Sequence, residues 1–268
     1  VNKMKDPGRS AMWRRISWSA FSVVFFGQFI IGVSGIEKFL MTGDLHLPVP
    51  AMIVSGPVYR GELSFMTILF LSTILLTGPA WCSHLCYFGG IDNALSLKKT
   101  SRTPWKNKFR IKHTFLLLII AGTLVLRIFN IHSFYALLGG ILTGVTGLFF
   151  ILVVTAKKGK MANCTLFCPI GTIVMYLKYI NPFRMYISDS CTSCGLCTAA
   201  CNYDALTRKD IENRKPGLTC TYCGDCLDSC HNSSIRYKLF NADQVKARHV
   251  YLFLTVSIHT VFMALAKI

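Results

Sequence analysis

Charge is scarce in this chain, and acid is scarcer still: 15% of the 268 residues are charged, and 12 are acidic against 29 basic. With 52% hydrophobic residues and a mean hydropathy of +0.46, that deficit excludes an ordinary soluble domain of this length and points to a membrane protein. No C-x-x-C-H haem-attachment sequence is present, which excludes covalent c-type haem. No small-x-small cleavage site follows the first apolar run, so it reads as a retained helix rather than a signal peptide. The stretches expected outside the membrane lack methionine or histidine clusters beyond Met41, His46 and Met52, which weighs against a copper-collecting surface.

Four apolar runs, 16–36, 64–81, 114–129 and 134–156, are long enough, or nearly so, to cross a hydrocarbon core of about 30 Å. The third contains Arg127, whose stem can snorkel to the head groups. A fifth run, 250–266, carries Thr255, Ser257 and His259; it reads as a fifth span, with an interfacial helix as the alternative. If the amino terminus is inside and five helices alternate, Lys38, Arg60, Arg127 and Lys267 lie outside and the other 25 of the 29 basic residues inside. The formal charge of +17 then reflects topology and membrane-surface attraction rather than nucleic-acid binding, with basic residues gathered at Arg14 and Arg15, 98–112 and 157–160. All twelve cysteines fall on the expected inner side, where thiols persist reduced.

Eight of those cysteines form two copies of C-x2-C-x2-C-x3-C, at Cys191, Cys194, Cys197 and Cys201 and, 29 residues on, at Cys220, Cys223, Cys226 and Cys230. The spacing suits cubane [4Fe-4S] clusters, because one tight loop offers three sulfurs and the fourth must arrive from elsewhere. In two-cluster ferredoxins it comes from the other run, which pairs Cys191, Cys194 and Cys197 with Cys230, and Cys220, Cys223 and Cys226 with Cys201. A zinc ribbon and a disulfide framework are the alternatives. Asn202 and His231 replace the proline that usually follows each fourth cysteine, and His231 reads as a filler rather than a ligand.

The remaining four make a second repeat. Cys82 and Cys86 recur 82 positions on as Cys164 and Cys168, each pair near the inner end of an even-numbered apolar run. This predicts two helical hairpins related by an axis along the membrane normal. Two thiols spaced x3 on a helix share one face. Brought together, the four suit a tetrahedral iron, a zinc or an iron-sulfur cluster, with redox dithiols and plain packing as alternatives. Gly139, Gly140, Gly144 and Gly147 read as a close-packing face.

The fold class is therefore mainly α: a polytopic bundle of four to five spans with a two-hairpin repeat, carrying a small α+β two-cluster ferredoxin-like domain. Its parts are a membrane bundle at 1–156, the second pair's segment at 157–185, the ferredoxin-like domain at 186–248 and the last helix at 249–268. That domain is expected to have the clusters themselves as its core, a β-prone stretch at 234–239 and a surface connection at 208–217. The long outward loop 37–62, with Pro48, Pro50 and Pro57, is a candidate meeting point for a partner or a quinone.

Trp81-Cys82-Ser83-His84-Leu85-Cys86, Asn163-Cys164-Thr165-Leu166-Phe167-Cys168-Pro169-Ile170-Gly171 and the two cysteine runs, in this order, resemble the NapH family. These are membrane subunits of quinol dehydrogenases that serve periplasmic nitrate reductases; the carboxy-terminal half of NosR-type proteins is similar too. The likeness covers roughly 14–238, departing at Tyr87, where the first motif expects proline, and in the added fifth helix. It implies a four-helix core in the bacterial cytoplasmic membrane, two cytoplasmic [4Fe-4S] clusters, and electron passage between the quinone pool and a partner iron-sulfur, flavin or cytochrome subunit. His84, Glu37 and Arg60 are candidates for proton handling at a quinone, and His113, His132 and His259 are weak candidate haem ligands. The competing readings are a metalloreductase or maturation protein that handles a metal such as copper through Cys82, Cys86, Cys164 and Cys168, and an assembly anchor with structural clusters.

Overall fold

The computed structural model describes residues 1–6, 8–39, 49–98 and 103–265, and it is mainly helical. Met41, His46, Pro48, Ala266 and Lys267 lie outside the described residues. Helix α1, Ser10–Val33, starts where Asp228, far along the chain, accepts the free amides of Gly8 (3.3 Å) and Ala11 (2.8 Å), a carboxylate at the positive end of the helix dipole. A short helix α2, Met52–Arg60, stops at Gly61, whose φ of 82° only glycine adopts freely. Helix α3, Phe65–Thr77, is capped by Ser64, which accepts from Thr67 N at 3.3 Å.

Helix α3 ends early. The expected span 64–81 breaks at Gly78 (φ 62°) and Pro79, so 13 residues remain, about 20 Å at 1.5 Å each. After a π-turn at Trp81–Leu85 the chain makes α4, Tyr87–Ser96, which packs along α1. Helix α5 is Lys108–Ile128, and α6 is Ser133–Lys158 with a π stretch at Phe150–Thr155. A second π-turn, Asn163–Phe167, leads into α7, Pro169–Leu177, where proline occupies the first turn.

Three described helices, α1, α5 and α6, are long and apolar enough to cross a membrane. Leu117, Leu118, Leu142 and Leu152 point outward from α5 and α6, a surface suited to hydrocarbon rather than water. The last helix, α10, Gln244–Leu265, opens on a polar turn with Lys246, Arg248 and His249 and is not among the three.

Strands β1, Phe183–Ile187, and β2, Ile235–Leu239, pair antiparallel, with Phe183 opposite Leu239 and Ile187 opposite Ile235. Between them lie both cysteine runs, α8 (Leu196–Ala200) and α9 (Arg208–Glu212). The stretch expected as a plain surface connection thus holds a helix, closed by a Thr207–Asp210 capping box. The small domain also has an apolar core of its own: Phe183, Met185, Ile187, Tyr222 and Tyr237 pack with Tyr251 of α10 and Trp18 of α1. A second core, inside the helical part, is built on Phe25, Phe70, Ile74, Trp81 and Ile151, with Tyr87 stacked on Phe25 at 3.9 Å.

The α1–α4 approach depends on glycine. A Cβ at Gly90 would lie 2.0 Å from Ser22 Oγ and 3.2 Å from Trp18 O. Gly90→Ala is expected to destabilise by about 1–3 kcal/mol, read as a lower melting temperature in detergent, whereas Gly122→Ala, mid-helix with nothing within 4 Å, does not lower it.

Candidate functional site

The two cysteine runs share one backbone path. Ser193 and Tyr222 follow their first cysteines by two residues with φ of 56° and 55°; Gly195 and Gly224 follow by four with 79° and 83°. These left-handed positions curl each loop so that its thiols face inward. After each fourth cysteine the pattern repeats: the amide four residues on donates to the sulfur, Ala205 N to Cys201 Sγ at 3.2 Å and Ser234 N to Cys230 Sγ at 3.3 Å.

The fourth sulfurs cross over. Cys191, Cys194, Cys197 and Cys230 line one cavity of about 180 Å³ beside His231 and Asn232. The thiol of Cys226 has Cys223, Cys220 and Cys201 as its electrostatic neighbours. Both sets fit a cube of iron and sulfide, with inward sulfurs and N–H donors aimed at them. His231 is exposed on the rim.

The remaining four cysteines form a third set. Each pair occupies a π-turn followed by a kink at its second cysteine, Cys86 at φ −72°, ψ 116° and Cys168 at −73°, 117°; each kink donates back 2.8 Å, to Trp81 O and Asn163 O. π-Turns recur at functional sites. Cys82, Cys86, Cys164 and Cys168 line a small cavity together with Lys112 and Tyr203, and its wall also includes Thr219, Cys220 and Thr221. The membrane-side set and the nearer ferredoxin-like set are therefore neighbours. Among the described residues no three or more His, Cys, Asp or Glu side chains converge as a single metal ion requires. The four sulfurs ring a space instead.

Buried charge ties these sets together. Arg14 of α1, 2% exposed, gives Asp225 two hydrogen bonds (2.8 and 2.7 Å) and Ser83 O a third (2.7 Å). Arg15 adds 3.0 Å to the same carboxylate. Ser83 Oγ donates to Thr221 O (3.0 Å), and Tyr203 OH donates to Cys82 O (2.5 Å). On the other flank Lys108 and Lys160 pair with Asp204 at 3.1 and 3.2 Å, and Lys178 Nζ donates to Leu218 O and Cys220 O. Asp92 accepts from Thr155 Oγ1 (2.6 Å) and Cys164 N (2.9 Å), joining α4 to the second π-turn.

Burial pushes the Cys201 and Cys220 thiols up to about 11 and Cys223 to about 12. Iron takes the thiolate, so loading must displace these protons. Burial alone would raise the Asp204 carboxyl, but Lys108 and Lys160 outweigh it and hold it below its ordinary value.

The other candidates are dispersed. His84 is buried in the first π-turn; its Nδ1 is 2.9 Å from Ser83 Oγ and its Nε2 has no hydrogen-bond partner among the described residues. Burial, with Arg14 and His259, drives its pKa well below the usual imidazole value, so it is neutral. Arg60 is exposed at the end of α2, and the side chain of Glu37 lies outside the described ones. His113 contacts Tyr176 OH (2.7 Å), His132 caps α6, and His259 stands edge-on to Phe21; no two of them form a facing pair in these contacts. Arg14, Asp92, Lys112, Asp204 and Asp225 were not among the candidates. The signal lay in the scarcity of acid: five of only 12 acidic residues, Asp92, Asp189, Asp204, Asp225 and Asp228, sit within or near the cysteine motifs, and three of them, Asp92, Asp204 and Asp225, are buried.

Residues 61–104 and 141–181 match the model of a family described as a 4Fe-4S binding domain. The chain is similar to that family over less than half of its length, in two segments that each contain one C-x3-C pair and exclude the 191–230 runs. An iron-sulfur binding domain is thus found at the membrane-side thiols. No curated protein and no solved structure matches the chain.

Removing one partner of a buried ion pair costs about 3–5 kcal/mol, because the other charge is left unpaired. Arg14→Met is expected to show a loss of that order in equilibrium unfolding, and Arg14→Met with Asp225→Leu a smaller one. Asp204 has a depressed folded pKa, so its stabilisation is complete above about pH 4, the unfolded value, and is lost as the pH falls through the folded one. Thermal melting of Asp204→Asn should therefore lie below wild type at neutral pH, with a gap that closes below about pH 4.

Proposed function

We propose that this chain is the membrane electron-transfer subunit of a quinol dehydrogenase or quinone reductase, of NapH-like type, set in a bacterial cytoplasmic membrane with its cysteines on the inner side. The observation that carries this reading is the sorting of all twelve cysteines into three foursomes, the membrane-side one sharing a cavity wall with Cys220 of the next. Each foursome suits a [4Fe-4S] cluster, which when bound supplies one-electron carriage at potentials from about −700 to +450 mV. The match to a 4Fe-4S binding domain at the paired thiols supports a third centre there, beyond the two of the ferredoxin-like runs.

In this reading the residues divide the work by position. The π-turns hold four thiolates at the inner ends of the membrane helices, within reach of a lipid-soluble carrier. Arg14, Ser83 and Tyr203 fix the small domain against those turns, so the spacing between successive centres is set by hydrogen bonds rather than by a flexible linker. The outermost foursome includes the exposed Cys194, which suits exchange with a partner iron-sulfur, flavin or cytochrome subunit. A quinol releases two electrons with two protons, so a proton acceptor is required beside it; His84, set between Cys82 and Cys86 with its Nε2 free of hydrogen-bond partners among the described residues, is the candidate, although burial beside Arg14 makes it a weak base. Handling of a single soft metal ion by the paired thiols is the second reading; the match of their two segments to a 4Fe-4S binding domain favours a multi-iron centre over it.

Anaerobically purified protein is expected to hold about twelve irons and as many labile sulfides, falling to about eight when Cys82, Cys86, Cys164 and Cys168 are replaced by serine. A quinol analogue should reduce the clusters, seen by electron paramagnetic resonance. Eight irons indifferent to those substitutions would remove the third centre. Clusters untouched by quinols, with metal ions bound at the four thiols, would install the metal-handling reading instead.

A further inference from the structure

Lys112 is the buried cation that nothing yet accounts for. It sits in the second turn of α5, 3% exposed, and lines the cavity ringed by Cys82, Cys86, Cys164 and Cys168. Every other buried cation around the cysteines is engaged: Arg14 with Asp225, Lys160 with Asp204, Lys178 with the carbonyls of Leu218 and Cys220. Lys108, one turn back on the same helix, is held by Asp204. Among the described residues Lys112 pairs with no carboxylate and donates to no carbonyl. Its electrostatic partners are the sulfurs of Cys168, Cys82 and Cys164.

The backbone makes room for it. A Cβ at Gly171 would stand 3.3 Å from Lys112 Nζ and 3.0 Å from Cys164 O, so the bare glycine keeps the ammonium's place open. The amide of the same glycine points at Cys168 Sγ, at 3.4 Å. An ammonium buried without a counter-ion is strongly disfavoured, and four thiolates around an iron-sulfur core carry the net negative charge that would complete it.

We propose that Lys112 is the fixed counter-charge of the centre held by Cys82, Cys86, Cys164 and Cys168 and sets its reduction potential above what those four thiolates would impose alone. This rests on the four-iron reading of the paired thiols. Reduction adds one negative charge to the centre, and a cation a few ångströms away in a low-dielectric surround favours the reduced state over the oxidised one. Lys112 lines the wall of the paired-thiol set, whereas the ammonium beside Cys220 of the next set, Lys178, is hydrogen-bonded to the carbonyls of Leu218 and Cys220. Lys112 is a positioning residue for charge and makes no bond to iron.

The test is a potentiometric titration of the anaerobic holoprotein followed by electron paramagnetic resonance. The membrane-side signal is assigned as the one lost on Cys82→Ser. Lys112→Met is expected to lower the midpoint of that signal alone by a tenfold or larger change in the reduction equilibrium, about 59 mV for one electron, and Lys112→Arg to return most of it. An unchanged midpoint with unchanged iron overturns the proposal. Should Lys112→Met lose four irons, Lys112→Gln decides: a retained centre at the wild-type midpoint overturns it, and a lowered midpoint, or loss of those four irons alone with recovery in Lys112→Arg, supports it. A wild-type protein with only eight irons would remove the four-iron reading and this proposal together, whereas a normal midpoint in a twelve-iron Lys112→Met protein removes the counter-charge alone.

Discussion

The arrangement hangs on one buried guanidinium. Arg14 meets the carboxylate of Asp225 with two nitrogens and the carbonyl of Ser83 with a third, so one planar fork joins the first long helix, the first π-turn and the second cysteine loop. Such geometry suits arginine and no other side chain, because lysine offers a point charge where a fork is needed. Ion pairs in an apolar surround gain little net stability, but they are costly to leave half-made, and that asymmetry selects a single docking pose. Ser83 and Tyr203 add their bonds within the same patch, so the small domain meets the helical part through the residues that flank the sulfurs.

Two duplications underlie the sulfur sets, and they differ in kind. The 29-residue repeat copies a loop: left-handed Ser193 and Tyr222, left-handed Gly195 and Gly224, and an amide bonded to the fourth sulfur in each copy. The 82-residue repeat copies a turn: two π-turns with nearly identical torsions at Cys86 and Cys168. The second copy fixes its helix start with Pro169. The first has Tyr87 there, and the ring that replaces proline's rigidity lies flat against Phe25 of α1.

What the sequence revealed followed from local rules. Cysteine spacing is a property of loops, so both runs and both pairs were legible, as were the long apolar helices and the strand at Ile235–Leu239. The break at Gly78–Pro79 was also visible in principle, but the surrounding hydropathy masked it and the span to 81 came out too long. The helix inside 208–217 depends on a capping box, Thr207 with Asp210, easily overlooked in a charged stretch. Long-range partners were another matter. Arg14 read as one more basic residue at a helix end, and Lys112 as part of a basic run, because charge counted along the chain does not say which carboxylate or sulfur lies across the fold. The apolar core of the small domain was missed for the same reason: Tyr251 and Trp18 reach it from helices at opposite ends of the sequence.

The separation of Arg14 from Asp225, 211 positions, bears on how the molecule is made. A ribosome releases the first long helix well before the residues that neutralise its arginine, so for most of synthesis that charge is without its carboxylate. The last foursome closes only when Cys230 emerges, after every helix but the final one. In the proposed reading, docking and the filling of that last foursome therefore belong to the end of synthesis, whereas the set of Cys82, Cys86, Cys164 and Cys168 is complete once Cys168 has emerged.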